Sequence, residues 1–208
     1  MTSRVDICNL ALSYLGIGSD ALVANTSKDL NDQTEPARAC LLSYDACRKQ
    51  LLQVGTWSFA RKITTLALVS DVEKIGQWSY QYAIPHDLIR ITKLYNKAGF
   101  PLQRNTIFNE YDIFVNRENK FILACHLSNA ELEYIFDQKE TEKFSPLFVE
   151  ALACRIAAKN ALRLTKDIKK YQLLEVECET ILNKALAEDL KQRYCKTPIC
   201  SNYLKARK

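Results

Sequence analysis

Glycine and histidine are scarce in this chain, with five glycines and two histidines among 208 residues. None of the glycines falls into a GxGxxG or GxxxxGK(S/T) arrangement, so the backbone cradle that such loops offer to phosphates is missing. No GxSxG elbow and no HExxH helix is present either, which removes two common hydrolytic constellations. Long apolar runs are lacking as well. Nothing approaches the roughly 20 residues needed to span a bilayer, and the start, Met1-Thr2-Ser3-Arg4-Val5-Asp6, has no apolar signal-peptide core. The expectation is a protein that folds in a cytoplasm.

Cysteine is not lacking. Cys8, Cys40, Cys47, Cys125, Cys154, Cys178, Cys195 and Cys200 make an even count of eight. Without a signal peptide, a disulfide framework is not the default. Cys8, Cys40, Cys47, Cys154 and Cys178 lie on or beside apolar stripes of predicted helices, where free cysteine serves as a small hydrophobe. Only Cys195 and Cys200 fall in a polar tail, and two thiolates fall short of the four ligands of a closed zinc site. No metal and no cofactor is expected.

The composition, 48% hydrophobic and 25% charged, is that of an ordinary globular domain. A chain this long buries enough surface to fold without a metal or disulfide staple. Its net charge of +5 is unevenly placed. Six of the 29 basic residues fall in 191–208 beside no acidic residue, which leaves 23 against 24 acidic ones in the body. A near-neutral body with a basic terminal block suggests an interaction arm.

Helical signals open the chain. Ser3 and Asp6 have capping-box spacing, Ile7, Leu10, Ala11, Tyr14 and Leu15 recur at helical intervals, and Gly16 and Gly18 end the pattern. Residues 17–31 form a polar loop. A second helix is expected from Asp32 and Glu35, with Pro36 in its first turn and an apolar face of Ala37, Cys40, Leu41, Tyr44, Cys47, Leu51 and Val54; Gly55 stops it. From Thr56 to Thr141 the apolar period shortens toward two. Seven strands are expected, at 63–69, 78–84, 88–95, 107–108, 111–115, 121–125 and 130–136. Short turns between them imply an antiparallel sheet or small barrel.

Helices return at Ser145-Pro146, a cap followed by a first-turn proline. Leu147, Phe148, Ala151, Leu152, Ala158, Ala161 and Leu162 give a wide face of small residues. A break at 165–167 precedes a last helix to about Leu190, striped by Tyr171, Leu174, Cys178, Ile181, Leu182 and Ala185. The expected fold is α+β. A four-helix bundle forms from residues 1–55 and 145–190, a small antiparallel β domain spanning 56–144 is inserted in it, and 191–208 is an extended basic arm.

The search for chemistry finds little. His126 follows Cys125, but adjacent strand residues point to opposite faces, so a sheet histidine is the preferred reading over a Cys/His pair. Glu131/Glu133 and Glu177/Glu179 read as solvated faces. The arm combines cations with aromatics, Lys191, Arg193, Tyr194, Lys196, Tyr203, Lys205, Arg207 and Lys208, as a nucleic-acid contact or a protein groove would require. No recognition helix or RNA-binding motif accompanies it. A second aromatic set, Trp57, Phe59, Trp78, Tyr80 and Tyr82, lies near the predicted helix–sheet junction. It would weld helices to strands or form an inter-subunit surface. Pro85 and Asp87 make a structural corner, with Arg90 placed to pair with Asp87.

Five segments carry a resemblance. Val5-Asp6-Ile7-Cys8-Asn9-Leu10-Ala11-Leu12 is similar to the opening of the tail tubular protein A-like head-to-tail adaptors of short-tailed phages. Gly55-Thr56-Trp57-Ser58-Phe59-Ala60-Arg61 resembles their PWxFAxR segment, with Thr56 in place of the proline. Tyr80-Gln81-Tyr82-Ala83-Ile84-Pro85-His86-Asp87-Leu88-Ile89-Arg90 resembles their YxYxLPxDxxR segment. Leu132-Glu133-Tyr134-Ile135 falls where that family has a short strand, and Ser145 to Ala153 resembles their xxFxxALAxxLA helix. The segments keep the family's order over nearly the whole body.

The resemblance implies a non-enzymatic virion protein at the head–tail junction. It implies a ring, dodecameric in that family, that sits under the portal, lines the DNA channel and carries the tail tube or nozzle. Insertion of the arm between portal subunits is a reading of the sequence, since no family segment covers residues past Leu190. Two other readings stand beside this one: a head-completion or tail-terminator protein, and a small cytoplasmic nucleic-acid-binding protein using the basic tail.

Overall fold

The computed structural model describes residues 2–18, 34–69, 76–96, 107–108, 110–116 and 119–193. Among them the protein is α+β, with four helices and two small antiparallel sheets. The helices are α1 (Arg4–Tyr14), α2 (Glu35–Val54), α3 (Pro146–Thr165) and α4 (Ile168–Arg193). The strands are β1 (Arg61–Thr65), β2 (Tyr80–Ala83), β3 (Leu88–Asn96), β4 (Ile107–Phe108), β5 (Tyr111–Val115), β6 (Phe121–Cys125) and β7 (Ala130–Phe136).

Local chemistry sets most boundaries. The Ser3 hydroxyl accepts from the Asp6 N–H and the Asp6 carboxylate from the Ser3 N–H, a complete capping box. These bonds from Ser3 hold the Asp6 carboxyl below its ordinary range. Gly16 takes a positive φ of 68° just past α1. Helix α2 begins without a side-chain cap, behind Thr34. The expected Asp32 cap lies outside the described residues. Ser145 caps α3 by accepting from the Phe148 N–H, and the break after it falls at Lys166, left-handed at φ 56°. Asp167 then accepts from the N–H groups of Lys169 and Lys170 and covers the first turn of α4.

Helix α3 is the hub of the helical core. Its Phe148, Ala151, Leu152, Cys154, Ala157, Ala158 and Ala161 are buried against side chains from α1, α2 and α4. Alanine at so many of these positions lets the neighbouring backbones come close. Leu41 at 47%, Val54 at 54% and Leu162 at 45% exposure, all expected to face inward, instead face solvent. Val54 is the last residue of α2 and Leu162 lies in the last turn of α3, past the packed middle of each helix.

The strands do not form one sheet. Among the described residues hydrogen bonding orders them β1-β7-β3-β4 and β2-β6-β5, and Leu68, past the end of β1, forms an isolated bridge to Tyr82 of β2. The two sheets share a second core of Tyr82, Leu123, Cys125, Leu94, Leu132 and Tyr134. Strand β7 is a wall common to both cores. Alternation sends Leu132 and Tyr134 into the sheet core and Ile135 into the helical one.

Candidate functional site

The expected junction aromatics separate into three sets. Trp57 and Phe59 enter the helical core. Trp57 is fully buried, its indole N–H donates to the Leu51 carbonyl at 2.7 Å, and its ring meets Phe148 edge-on at 4.9 Å. Phe59 packs on Phe144 and Phe148 at 5.6 and 4.9 Å. Tyr80 and Tyr82 belong to the sheet core, and the Tyr82 hydroxyl donates to the Leu127 carbonyl at 2.6 Å. Trp78 lies against the His126 ring at 4.9 Å.

The corner at Pro85 and Asp87 is present, but its partners differ from those expected. Asp87 does not pair with Arg90. It accepts from Lys62 at 3.2 Å and from the Tyr134 hydroxyl at 3.0 Å. Burial alone would raise the Asp87 carboxyl, but the hydrogen bonds from Lys62 and Tyr134 outweigh it and hold the group below the usual carboxylate range. Arg90 follows an irregularity in the β3–β7 register and reaches α2, where it donates to the carbonyls of Gln53 at 3.0 Å and Val54 at 3.1 Å. These carbonyls have no partner within the helix, and a cation suits the negative end of its dipole. The YxYxLPxDxxR-like segment therefore joins the sheets to the end of α2.

Two more polar ties cross this junction. Arg48 of α2 is 1% exposed and donates to Asp137 at 2.5 Å and to the Gln138 carbonyl at 2.6 Å, just past β7. Asp189 of α4 accepts from the Ser58 N–H at 2.9 Å and from its hydroxyl at 2.5 Å. Glu133, expected on a solvated face, is 3% exposed. It accepts from the Tyr95 hydroxyl at 2.5 Å, and burial with this bond pushes Tyr95 up to about 12. Arg61 of β1 also donates to the Glu133 carboxylate at 3.5 Å, so side chains of the two strands flanking β7 close over Glu133 and it does not face solvent.

Cys125 is buried, while the exposed His126 meets the Ser79 hydroxyl at 3.1 Å through Nδ1. The two neighbours diverge as strand geometry requires. Among the described residues no cluster of His, Cys, Asp and Glu is suited to hold a metal ion, and no helix is long and apolar enough to cross a membrane. Of the arm, Lys191 and Arg193 are the end of α4, which runs three residues past its expected stop. Lys191 pairs with Glu188. Tyr194, Lys196, Tyr203, Lys205, Arg207 and Lys208 lie outside the described residues.

One surface escaped the sequence analysis. Besides its buried stripe, α4 carries Leu173, Val176, Thr180, Asn183, Ala187 and Leu190, spaced alternately by three and four residues, and all six are exposed. Leu173 is 69%, Val176 68% and Leu190 57% exposed. The spacing is that of a helix-pairing seam, apolar at its ends (Leu173, Val176, Leu190) and polar in its middle (Thr180, Asn183). It was legible in the sequence but was masked by the stronger stripe beside it.

The chain matches no protein-family model, and no curated protein matches it.

Proposed function

We propose that this protein is a structural subunit of a phage head-to-tail connector, an adaptor that assembles as a ring beneath the portal and carries the tail. The outward seam of α4 carries this reading. A lone subunit gains nothing from leaving Leu173, Val176 and Leu190 in water, whereas a ring subunit buries such residues against its neighbour. The ordered resemblance of five segments to tail tubular protein A-like adaptors adds to it. So does the use of their residues as joints: Trp57 and Phe59 in the helical core, and Arg90 on the end of α2.

In this reading residues 1–55 and 145–190 are a four-helix bundle that packs around the ring. Residues 56–144 are the β domain directed at the tail tube or nozzle. The basic arm engages the portal, and the packaged DNA passes through the ring.

Native mass spectrometry of the chain, alone and with its cognate portal protein, tests the proposal. The expected result is a stoichiometric ring on the portal, dodecameric if the family pattern holds. A Leu173→Lys/Val176→Lys double variant should keep its circular dichroism and Tm but fail to assemble. A chain that ignores the portal, stays monomeric and binds DNA with steep salt dependence would instead establish the nucleic-acid-binding reading.

A further inference from the structure

We propose that Cys154 and Cys178 are an oxidisable thiol pair, a modification site whose product is a disulfide that staples α3 to α4. The two sulfurs lie 2.6 Å apart in the helical core. A disulfide bond is about 2.05 Å long, so closure needs a movement of well under an ångström. The approach does not depend on the thiols alone. One residue after Cys154 on α3 and three before Cys178 on α4, the Arg155 guanidinium holds the Glu175 carboxylate at 2.6 Å, and the Cys154 thiol also lies 3.9 Å from the Leu174 carbonyl. The helix register that faces sulfur to sulfur is thereby set by neighbouring contacts.

The two cysteines differ in access. Cys154 is fully enclosed, whereas Cys178 is 5% exposed. Cys178 also lines a cleft of about 360 Å³ with Gln50, Gln53, Arg155 and Glu179. A small peroxide reaches Cys178 through this cleft. The Cys178 thiolate attacks one peroxide oxygen, the O–O bond breaks, and the leaving hydroxide takes up a proton as the first water. Cys178 is then a sulfenic acid. The Cys154 sulfur attacks that sulfur, the S–S bond forms, and the sulfenic oxygen leaves with the Cys154 proton as the second water. Two thiols lose two electrons and one peroxide gains them. The hydrogen bond to Cys154 and burial push the Cys178 thiol up, with Arg155 pulling the other way. The thiolate is therefore rare at neutral pH, and the reaction is slow there and quickens as pH rises.

Peptide mapping of the full-length protein decides the matter. Tryptic peptides 144–155 and 171–184 each contain a single cysteine, so the bond has one signature. The protein is treated with hydrogen peroxide, its remaining thiols are alkylated under denaturing conditions, and it is digested without reductant. The expected result is a 144–155/171–184 linked pair that separates on reduction, with Tm raised by roughly 10 °C for a loop of this length. Cys154→Ala should leave Cys178 as a sulfenic or sulfinic acid with no link. Recovery of the two wild-type peptides separately, each alkylated, overturns the proposal. A linked protein whose Tm does not rise overturns the staple.

Discussion

Gly55 ends α2 with an extended φ of −99°, so its backbone does not demand glycine. Space does. A Cβ there would sit 2.5 Å from the Trp57 ring and 2.7 Å from a Leu186 methyl. The sequence marks Gly55 as a helix stop; that it is also the floor beneath a buried indole follows only from packing. Gly55→Ala should cost about 2 kcal/mol, the scale of overpacking a filled core, measured as a drop in the urea midpoint at constant m-value. An unchanged midpoint would show that Trp57 has room to shift. The same limit explains Glu133, which looks solvent-facing in a local pattern and is buried because Tyr95 and Arg61 converge on it from other strands.

At the scale of elements, the corner at 85–90 turns a short-range motif into a joint. Asp87 sits three residues before Arg90, yet each finds its partner elsewhere, Asp87 on β1 and β7 and Arg90 on α2. Strand β3 carries Arg90 away from the corner, and so proximity in sequence did not become a pair. The folded Asp87 carboxyl is held below its ordinary value. Its contribution is therefore present above the unfolded carboxylate pKa of about 3.9 and is lost as pH falls through the lower folded value. Asp87→Asn should be less stable than the parent by a constant margin from about pH 5 to 8. The margin should shrink below about pH 4, followed by urea unfolding at each pH. A margin that does not change with pH would show that the carboxylate's charge plays no part.

For the whole molecule, the buried residues of the helical core run as far as Ala185 among the described residues, with Leu186 packed against them. The basic excess lies in residues 191–208, in a chain whose remainder is close to neutral. Because α4 continues to Arg193, the informative truncation removes 194–208 and not 191–208. That deletion should leave Tm and the urea midpoint unchanged while abolishing portal docking, read by co-sedimentation. Docking that survives truncation would remove the arm from the interface and leave it to α4.

Much of the chain's organisation was set locally. Capping chemistry at Ser3 and Ser145, the change of apolar period after Thr56 and the turn at Lys166 each depend on residues a few positions apart. The helices at both ends and the strands between them were accordingly legible from the sequence. What tertiary structure decided depends on residues far apart in the chain: the division of the strands into two sheets, the sharing of β7 between two cores, the partners of Asp87 and Arg90, and the meeting of Cys154 with Cys178. Local spacing says which face of an element is apolar. Only packing says which other face covers it, and which faces, like the outer seam of α4, stay open.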